Sequence, residues 1–505
     1  MSRKPRLSLL LAAILCILSI FPAHASETLT ILHVNDVHGR IFPYVEKAID
    51  PAKPVSGAAY LAPMIGRERA RNPEGSMLLS AGDMFQGTPV SNLFRGRPVI
   101  DIMNRIGFDA MALGNHEFDW GLETLGQIVR GASFPVICAN IADAHGLTPP
   151  GVKPYVFVTR KGVKVAIVGL LTPDTAHITS PKNLDGYTIS DPEKVLPKLL
   201  DEVRGKGARV VVLLTHLGVD ADKSLAASID GIDVIVGGHS HTALIDPVRV
   251  GRTIIVQAGH NGLYLGVLDL VLDEKTGQVT SATEKNELRI VWAGPGNPTD
   301  KAVAHIADQY EDRIKDKLRV VVGRTRADLA RRGEEESSLG DAVTDAMRES
   351  TGADIAIFNA GGLRDDIWTG PITMEQVYTA LPFDDVIVTM DLKGSDLLDL
   401  FEKSVDAGPR GMLQVSGVRI GYDPSRPRQQ RVKSVIVGGE PLRREKSYRV
   451  STNDFLAQGG DRFTTFSRGT RVTYGKDARD VFVAYLKRHS PLGAPAGLRI
   501  VRQMP

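Results

Sequence analysis

The sequence predicts a layered α/β fold followed by a smaller α+β domain. Two observations carry this reading. From residue 29 to about 272, short runs rich in Val and Ile and bounded by Gly or Asp alternate with polar, helix-compatible stretches. Such runs read as buried strands, and strands alternating with helices build layered folds. The pattern then breaks at Ala293-Gly-Pro-Gly-Asn-Pro-Thr-Asp300, linker chemistry ending in an N-cap candidate, and a second pattern starts near Gly323. The expected division is a leader at 1–25, a layered first domain at 26–295, a linker helix at 296–320 and a smaller second domain at 321–505.

Taken in order, the first-domain strands fall at 29–34, 77–80, 110–113, 163–171, 210–215, 234–236 and 253–257. After the linker, Val303, Ile306, Tyr310 and Ile314 recur at three- and four-residue spacing. That predicts one amphipathic helix to about residue 318, a rod between the domains. The second domain follows with a helix at 339–349 and strands at 354–358 and 386–392. A helix from Ser395 and a strand at 419–422 complete it. The basic cluster at 426–433 reads as a solvated loop.

Composition narrows the class. The chain has 505 residues, 43% hydrophobic and 24% charged, which excludes disorder and a small disulfide scaffold. Net charge is +2, and the first 25 residues contribute +3 of it, so no global field points to nucleic acid. Those residues pair a basic start (Arg3, Lys4, Arg6) with an apolar run at 7–21 and Ala23-His24-Ala25. This is signal-peptide anatomy with an A-x-A cleavage site. The run is shorter than the ~20 residues a membrane span needs, and Leu15 before Cys16 does not fit a lipoprotein signal. The expectation is an exported protein, periplasmic or secreted, cleaved near Ala25 and without a stable membrane anchor. Of two cysteines, only Cys138 remains after that cleavage, within an apolar run that buries it.

Metal-ligand residue types cluster where strands end. Asp36 and His38 follow the first strand, Asp83 the second, and Asn115 and His116 the third. His216 ends the fifth, and His239 and His241 follow the sixth. Ligands of layered α/β folds bind beyond the carboxyl ends of the strands, so five strand ends deliver these groups to one crevice. Imidazole and carboxylate without thiolate suit Zn²⁺, Mn²⁺ or Fe²⁺ better than Ca²⁺ or Mg²⁺. Asp36, His38, Asp83, Asn115, His216, His239 and His241 are too many donors for one tetrahedral ion, and they suit two ions sharing one carboxylate. Paired ions ~3.5–4 Å apart clamp both oxygens of an in-line phosphoryl displacement and acidify a bound water. His33, His145, His177, His260, His305 and His489 lack such context, with His260, just after a strand, the nearest to an exception.

Asp36-x-His38, Gly82-Asp83, Gly114-Asn115-His116-Glu117 and Gly238-His239-x-His241, in this order, resemble the metallophosphoesterase motifs. Asn359-Ala-Gly-Gly-Leu-Arg364 and Asn453-Asp-Phe-Leu-Ala-Gln-Gly-Gly-Asp461 resemble the C-terminal domain of 5′-nucleotidases and periplasmic UDP-sugar hydrolases. The resemblance implies an αββα sandwich joined by a linker helix to the smaller domain. It implies two divalent ions of the zinc, manganese or cobalt class. Asp36, His38 and His241 would hold the first and Asn115, His216 and His239 the second, with Asp83 between them. His116 would be the catalytic imidazole, oriented by Asp119. A His beside an Asp can carry charge and stabilise a developing oxyanion.

In the second domain, Asn359 and Arg364 flank a Gly-rich turn, where backbone approach and a guanidinium fork suit phosphate or carboxylate. Phe455 and Asp461 bracket another Gly-Gly turn, and the resemblance assigns them base stacking and ribose contact. Two departures stand out. The Glu336-Ser-Ser-Leu-Gly340 segment is preceded by Glu335, where relatives carry Arg, and Arg331 or Arg332 would have to substitute. The second stacking aromatic is expected just before Leu413, where this chain has Met412.

The leading expectation is hydrolysis of a small-molecule nucleotide phosphoester. The alternatives on the same metal centre are a 2′,3′-cyclic nucleotide, a UDP-sugar-type diphosphate or a thiosulfohydrolase-like reaction. A non-catalytic binding protein is opposed by the complete donor set.

Overall fold

The computed structural model describes residues 27–273, 276–408, 411–493 and 497–503. The expected leader at 1–25 lies outside the described residues. Among those described, no helix is long and apolar enough to cross a membrane.

Two six-stranded sheets stack face to face in the first half of the chain. In the first sheet Glu27–Val34 runs parallel to Ser76–Ser80, and Ser76–Ser80 parallel to Ala110–Ala112. Two strands outside the sequence reading, Tyr264–Leu272 and Val279–Ile290, extend it antiparallel. In the second sheet Val163–Leu171, Val210–His216, Val234–Val236 and Thr253–Val256 are parallel neighbours. Alternation explains the layers. Leu29 and Ile31 meet Val210, Val212 and Val234 between the sheets, while Leu32 and Val34 face helices on one outer side. Val211 and Leu213 face helices on the other. Strands covered on both faces read as continuous Val/Ile/Leu runs, which is why the sequence located them.

The helix expected to end near residue 318 is two pieces, Lys301–Glu311 and Lys315–Leu318. The first starts where the Asp300 carboxylate accepts from the amides of Ala302 and Val303, a normal N-cap. The chain then tightens into short-range bonds, with Ile314 N–H donating to Glu311 O at 2.9 Å. That turn keeps Ile314 and Leu318 in the same core as Val303 and Ala307. The segment is docked on the first half rather than standing free as a rod, and Tyr310 Oη donates to Asp101 at 2.6 Å.

The second half is built on a five-stranded sheet in the order Gln414–Ser416, Ile355–Phe358, Ser447–Asn453, Val386–Lys393, Thr470–Asp477. Ser338–Thr351 and Ala478–Arg488 pack on one face. Gly394–Val405 and a four-stranded sheet close the other. Ile355–Phe358 and Ser447–Asn453 are parallel neighbours, so Asn359 and Asp454-Phe455 leave the sheet on the same side.

Candidate active site

The crevice of the first half forms where the two sheets direct their strand ends together. Donor atoms of Asp36, His38 and His241 lie within 4.8 Å of one another, as do those of Asp83, His216 and His239, and those of His38, Asp83 and His116. Asn115 directs Oδ1 to within 3.1 Å of His239 Nδ1. All seven sequence-predicted donors therefore converge, with His116 beside them.

The backbone is bent to achieve this. Asp36, His38, Asp83, His239 and His241 all have positive φ, between 50° and 78°. Non-glycine residues rarely adopt that region, and each costs of order 1–3 kcal/mol unless its surroundings enforce it. Here they do. Asp36 accepts the His239 amide and the Asn35 side chain, and Asp83 Oδ1 accepts the His116 amide at 2.9 Å. Glu117, which the motif contains but the sequence reading gave no role, accepts the amides of Asp83, Met84 and Gly114. Its carboxylate locks two ligand loops together. Gly114 must lack a side chain, because a Cβ would sit 2.2 Å from Asp83 Oδ1.

The imidazoles are prepared to bind cations. His38 Nδ1–H donates to Gln86 O at 2.9 Å and His216 Nδ1–H to Ala81 O at 2.7 Å. Each Nε2 is then the ring atom turned into the crevice, the arrangement metal-bound histidines show. His38 Nε2 faces His241 Nε2 at 3.0 Å. His216 Nε2 is buried without a hydrogen-bond partner, 3.1 Å from Asp83 Oδ2. Imidazole nitrogens and carboxylate oxygens this close are held together by shared protons or by cations that replace them, so these residues fit a pair of divalent ions. Burial, joined by the neighbouring His241, pushes His38 well below the ordinary histidine range, and burial takes His239 down to about 4. Burial would raise Asp83, but the charges of His216 and His116 outweigh it and hold the carboxyl well below its usual range.

His116 differs from these. Its Nδ1–H donates to Asp119 Oδ2 at 2.7 Å, and its Nε2 stands 3.9 Å from Asp83 Oδ2. Burial works against its proton, yet the charges of Asp119 and Asp83 keep its pKa above the ordinary value.

A cavity of about 1190 Å³ joins this crevice to the second half, and Asn359, Arg364, Phe455 and Asp461 all line it. Asn359 Nδ2 donates to Asp461 Oδ2 at 3.2 Å. Contacts across the cleft hold the halves together: Arg40–Asp365 at 3.1 Å, Arg95–Asp384 at 2.7 Å, and Asn92 Nδ2 to Pro382 O at 2.9 Å.

Two expectations change. Met412 does not line the cavity; it is 6% exposed and packs in the core of the second half. Trp120 and Phe383 join Phe455 as aromatics in the lining, and of these Phe383 stands over the reacting end, 5.8 Å from the His116 ring and 6.0 Å below the Arg364 guanidinium. Leu381-Pro-Phe383 carries no polar motif, so only packing exposes its role. Arg331 is the second. Its Nη1 donates to the carbonyls of Leu363 and Arg364, so it braces the Arg364 backbone from outside the cavity lining. Glu335 is likewise exposed and outside that lining. Among the remaining histidines, His260 stacks on His241 at 5.0 Å, and His33 is fully buried. Cys138 is buried and free.

Comparison with known proteins agrees with this geometry. The calcineurin-like phosphoesterase profile matches residues 29–243, and the 5′-nucleotidase C-terminal domain profile matches residues 319–468. A 5′-nucleotidase of Bos taurus is 33% identical, covering 92% of this chain and 88% of its own. The chain belongs to the 5′-nucleotidase family. An apyrase of Tabanus yao is 31% identical over 94% of both chains. The crystal structure of a 5′-nucleotidase precursor from Thermus thermophilus superimposes with a TM-score of 0.86 at 33% identity, covering 94% of this chain and 99% of that one. The chain is thus a dimetal phosphoester hydrolase of mixed α/β, two-domain architecture, with a calcineurin-like N-terminal domain and a nucleotidase C-terminal domain.

Proposed function

We propose that this 5′-nucleotidase family member releases phosphate from nucleoside 5′-phosphates, its phosphate-binding and nucleoside-binding groups supplied by opposite walls of one cavity. The observation that carries the reading is that the His/Asp cluster and two phenylalanines face the same space. Asp36, His38 and His241 would hold one divalent ion, Asn115, His216 and His239 would hold the other, and Asp83 lies close enough to contribute to both groups. When bound, the ions supply Lewis acidity to the phosphoryl oxygens and acidify the attacking water. Arg364 approaches the phosphate from the opposite wall, braced by Arg331. The base lies between Phe383 and Phe455, and Asp461, oriented by Asn359, accepts ribose hydroxyls. The negative charges of Asp119 and Asp83 favour the His116 imidazolium, with Nδ1–H on Asp119, and its Nε2–H is directed at the leaving oxygen, where charge develops.

A second reading, a nucleoside di- or triphosphate, is favoured by the size of the cavity, about 1190 Å³, and by likeness to a relative called an apyrase. Export goes with both readings: the basic start, apolar run and Ala23-His24-Ala25 fit delivery to the periplasm or the outside of the cell, where the enzyme would serve nucleotide catabolism. The test is phosphate release from AMP, ADP, ATP, UDP-glucose and 2′,3′-cyclic AMP, with zinc, manganese or cobalt returned to chelated protein. Fastest turnover of AMP supports the reading. Turnover of UDP-glucose or the cyclic nucleotide alone would replace it.

A further inference from the structure

We infer that Arg479 is a positioning residue for nucleotide selection, acting through Phe383. Arg479 stands at the start of the helix Ala478–Arg488 and is 6% exposed. A buried guanidinium needs partners, and the hydrogen-bond partners it has belong to one turn. Nε donates to Leu381 O at 3.0 Å, and Nη2 to Phe383 O at 2.6 Å and Asp384 Oδ1 at 3.1 Å. Its Cζ also lies 4.2 Å from the centre of the Tyr378 ring, in the helix Met374–Ala380 that leads into that turn. A guanidinium presents its donors in a rigid fork, so engaging the carbonyls two residues apart fixes the turn between them. Phe383 sits on that turn, within 5.8 Å of His116 and 6.0 Å of Arg364.

The first half holds the same turn from the other side. Asn92 donates to Pro382 O, and Arg95 pairs with Asp384. Asp384 thus takes one arginine from each half, and Phe383 is fixed over the reacting end of the cavity only while both engage it. Remove Arg479, and two carbonyls and one arm of this clamp are released. The ring then loses its fixed plane, while the ligand loops of the first half keep all the contacts that hold them.

The inference rests on the nucleotide reading, and its test separates the two. Measure kcat and KM for AMP and for ribose 5-phosphate, which lacks a base, in wild type, Arg479→Met, Phe383→Ala and the double variant, with melting temperature alongside. Base–aromatic stacking spans about 5–100-fold. Arg479→Met is expected to raise KM for AMP by about 5–20-fold, to leave kcat/KM for ribose 5-phosphate within about 3-fold, and to add little once Phe383 is already Ala. Arg479→Lys, which keeps the charge but not the fork, should show a smaller rise, and it carries the comparison if Arg479→Met does not fold. Equal losses on both substrates, no change on AMP, or full additivity with Phe383→Ala would overturn the role. A wild type that does not prefer AMP to ribose 5-phosphate would remove the nucleotide reading and the inference with it.

Discussion

The two walls of the cavity are made differently. In the first half, ligand-type residues sit directly on strand ends, five of them in positive-φ conformations, cross-braced by Glu117, Asn35 and one another. In the second half, Asn359 and Phe455 follow parallel strands, but Phe383 comes from a turn held by arginines. The first wall is rigid and polar, as placing two cations and an imidazole demands. The second is a set of braced loops that can vary without disturbing the metal centre. The lesson is a division of labour: chemistry belongs to strand termini and selection to turns.

The largest expected effect breaks the first wall. Chelation should abolish phosphate release, and Mn²⁺, Co²⁺ or Zn²⁺ should restore it; full turnover by metal-free protein contradicts the account. Asp83→Ala should lose both ions by elemental analysis and reduce activity by more than about 10³-fold, beyond the 10–100-fold typical of losing an outer partner. Next comes His116→Ala. It should keep two metals while kcat falls by roughly 10²–10⁴, the range for an acid–base or oxyanion group. Metal lost in step with activity would make His116 a ligand instead.

This contrast also decides what could be read from the sequence. Strand ends were legible because double burial leaves continuous apolar runs, and a His or Asp just after one has few other reasons to be there. Phe383 was not, since an aromatic in a turn looks like any core residue until its neighbours are known. Met412 misled for the converse reason: its place before Leu413 fitted a cavity wall, but the chain directs it inward with Leu400 and Phe401. The helix break at 312–314 escaped periodicity because a tight turn preserves the spacing of buried residues.

A smaller effect concerns the foundation of the first wall. His33 is fully buried, neither ring nitrogen has a hydrogen-bond partner, and burial takes its pKa from 6.5 down to about 3. Because the folded value is depressed, the unfolded chain takes up this proton first as pH falls. The contribution is complete above about pH 6.5 and is lost at about 1.4 kcal/mol per pH unit between there and about pH 3. His33→Leu should therefore flatten the pH dependence of unfolding free energy between pH 5 and 7, by about 2 kcal/mol at pH 5. An identical slope in the variant would show that His33 is not buried neutral. The smallest effect is expected at Glu335: exposed and outside the cavity, it should change KM for AMP by less than about 2-fold on Glu335→Arg, as an isolated surface charge does. A tenfold change would return this residue to the phosphate site.

The division of labour is tested most directly by comparing AMP with ribose 5-phosphate in metal-loaded His116→Ala and Phe455→Ala. The account predicts that His116→Ala lowers kcat/KM for both substrates by the same factor. Phe455→Ala should lower it for AMP by about 5–100-fold, the range of one base–aromatic stack, and for ribose 5-phosphate far less. Equal losses on both substrates in Phe455→Ala would contradict it.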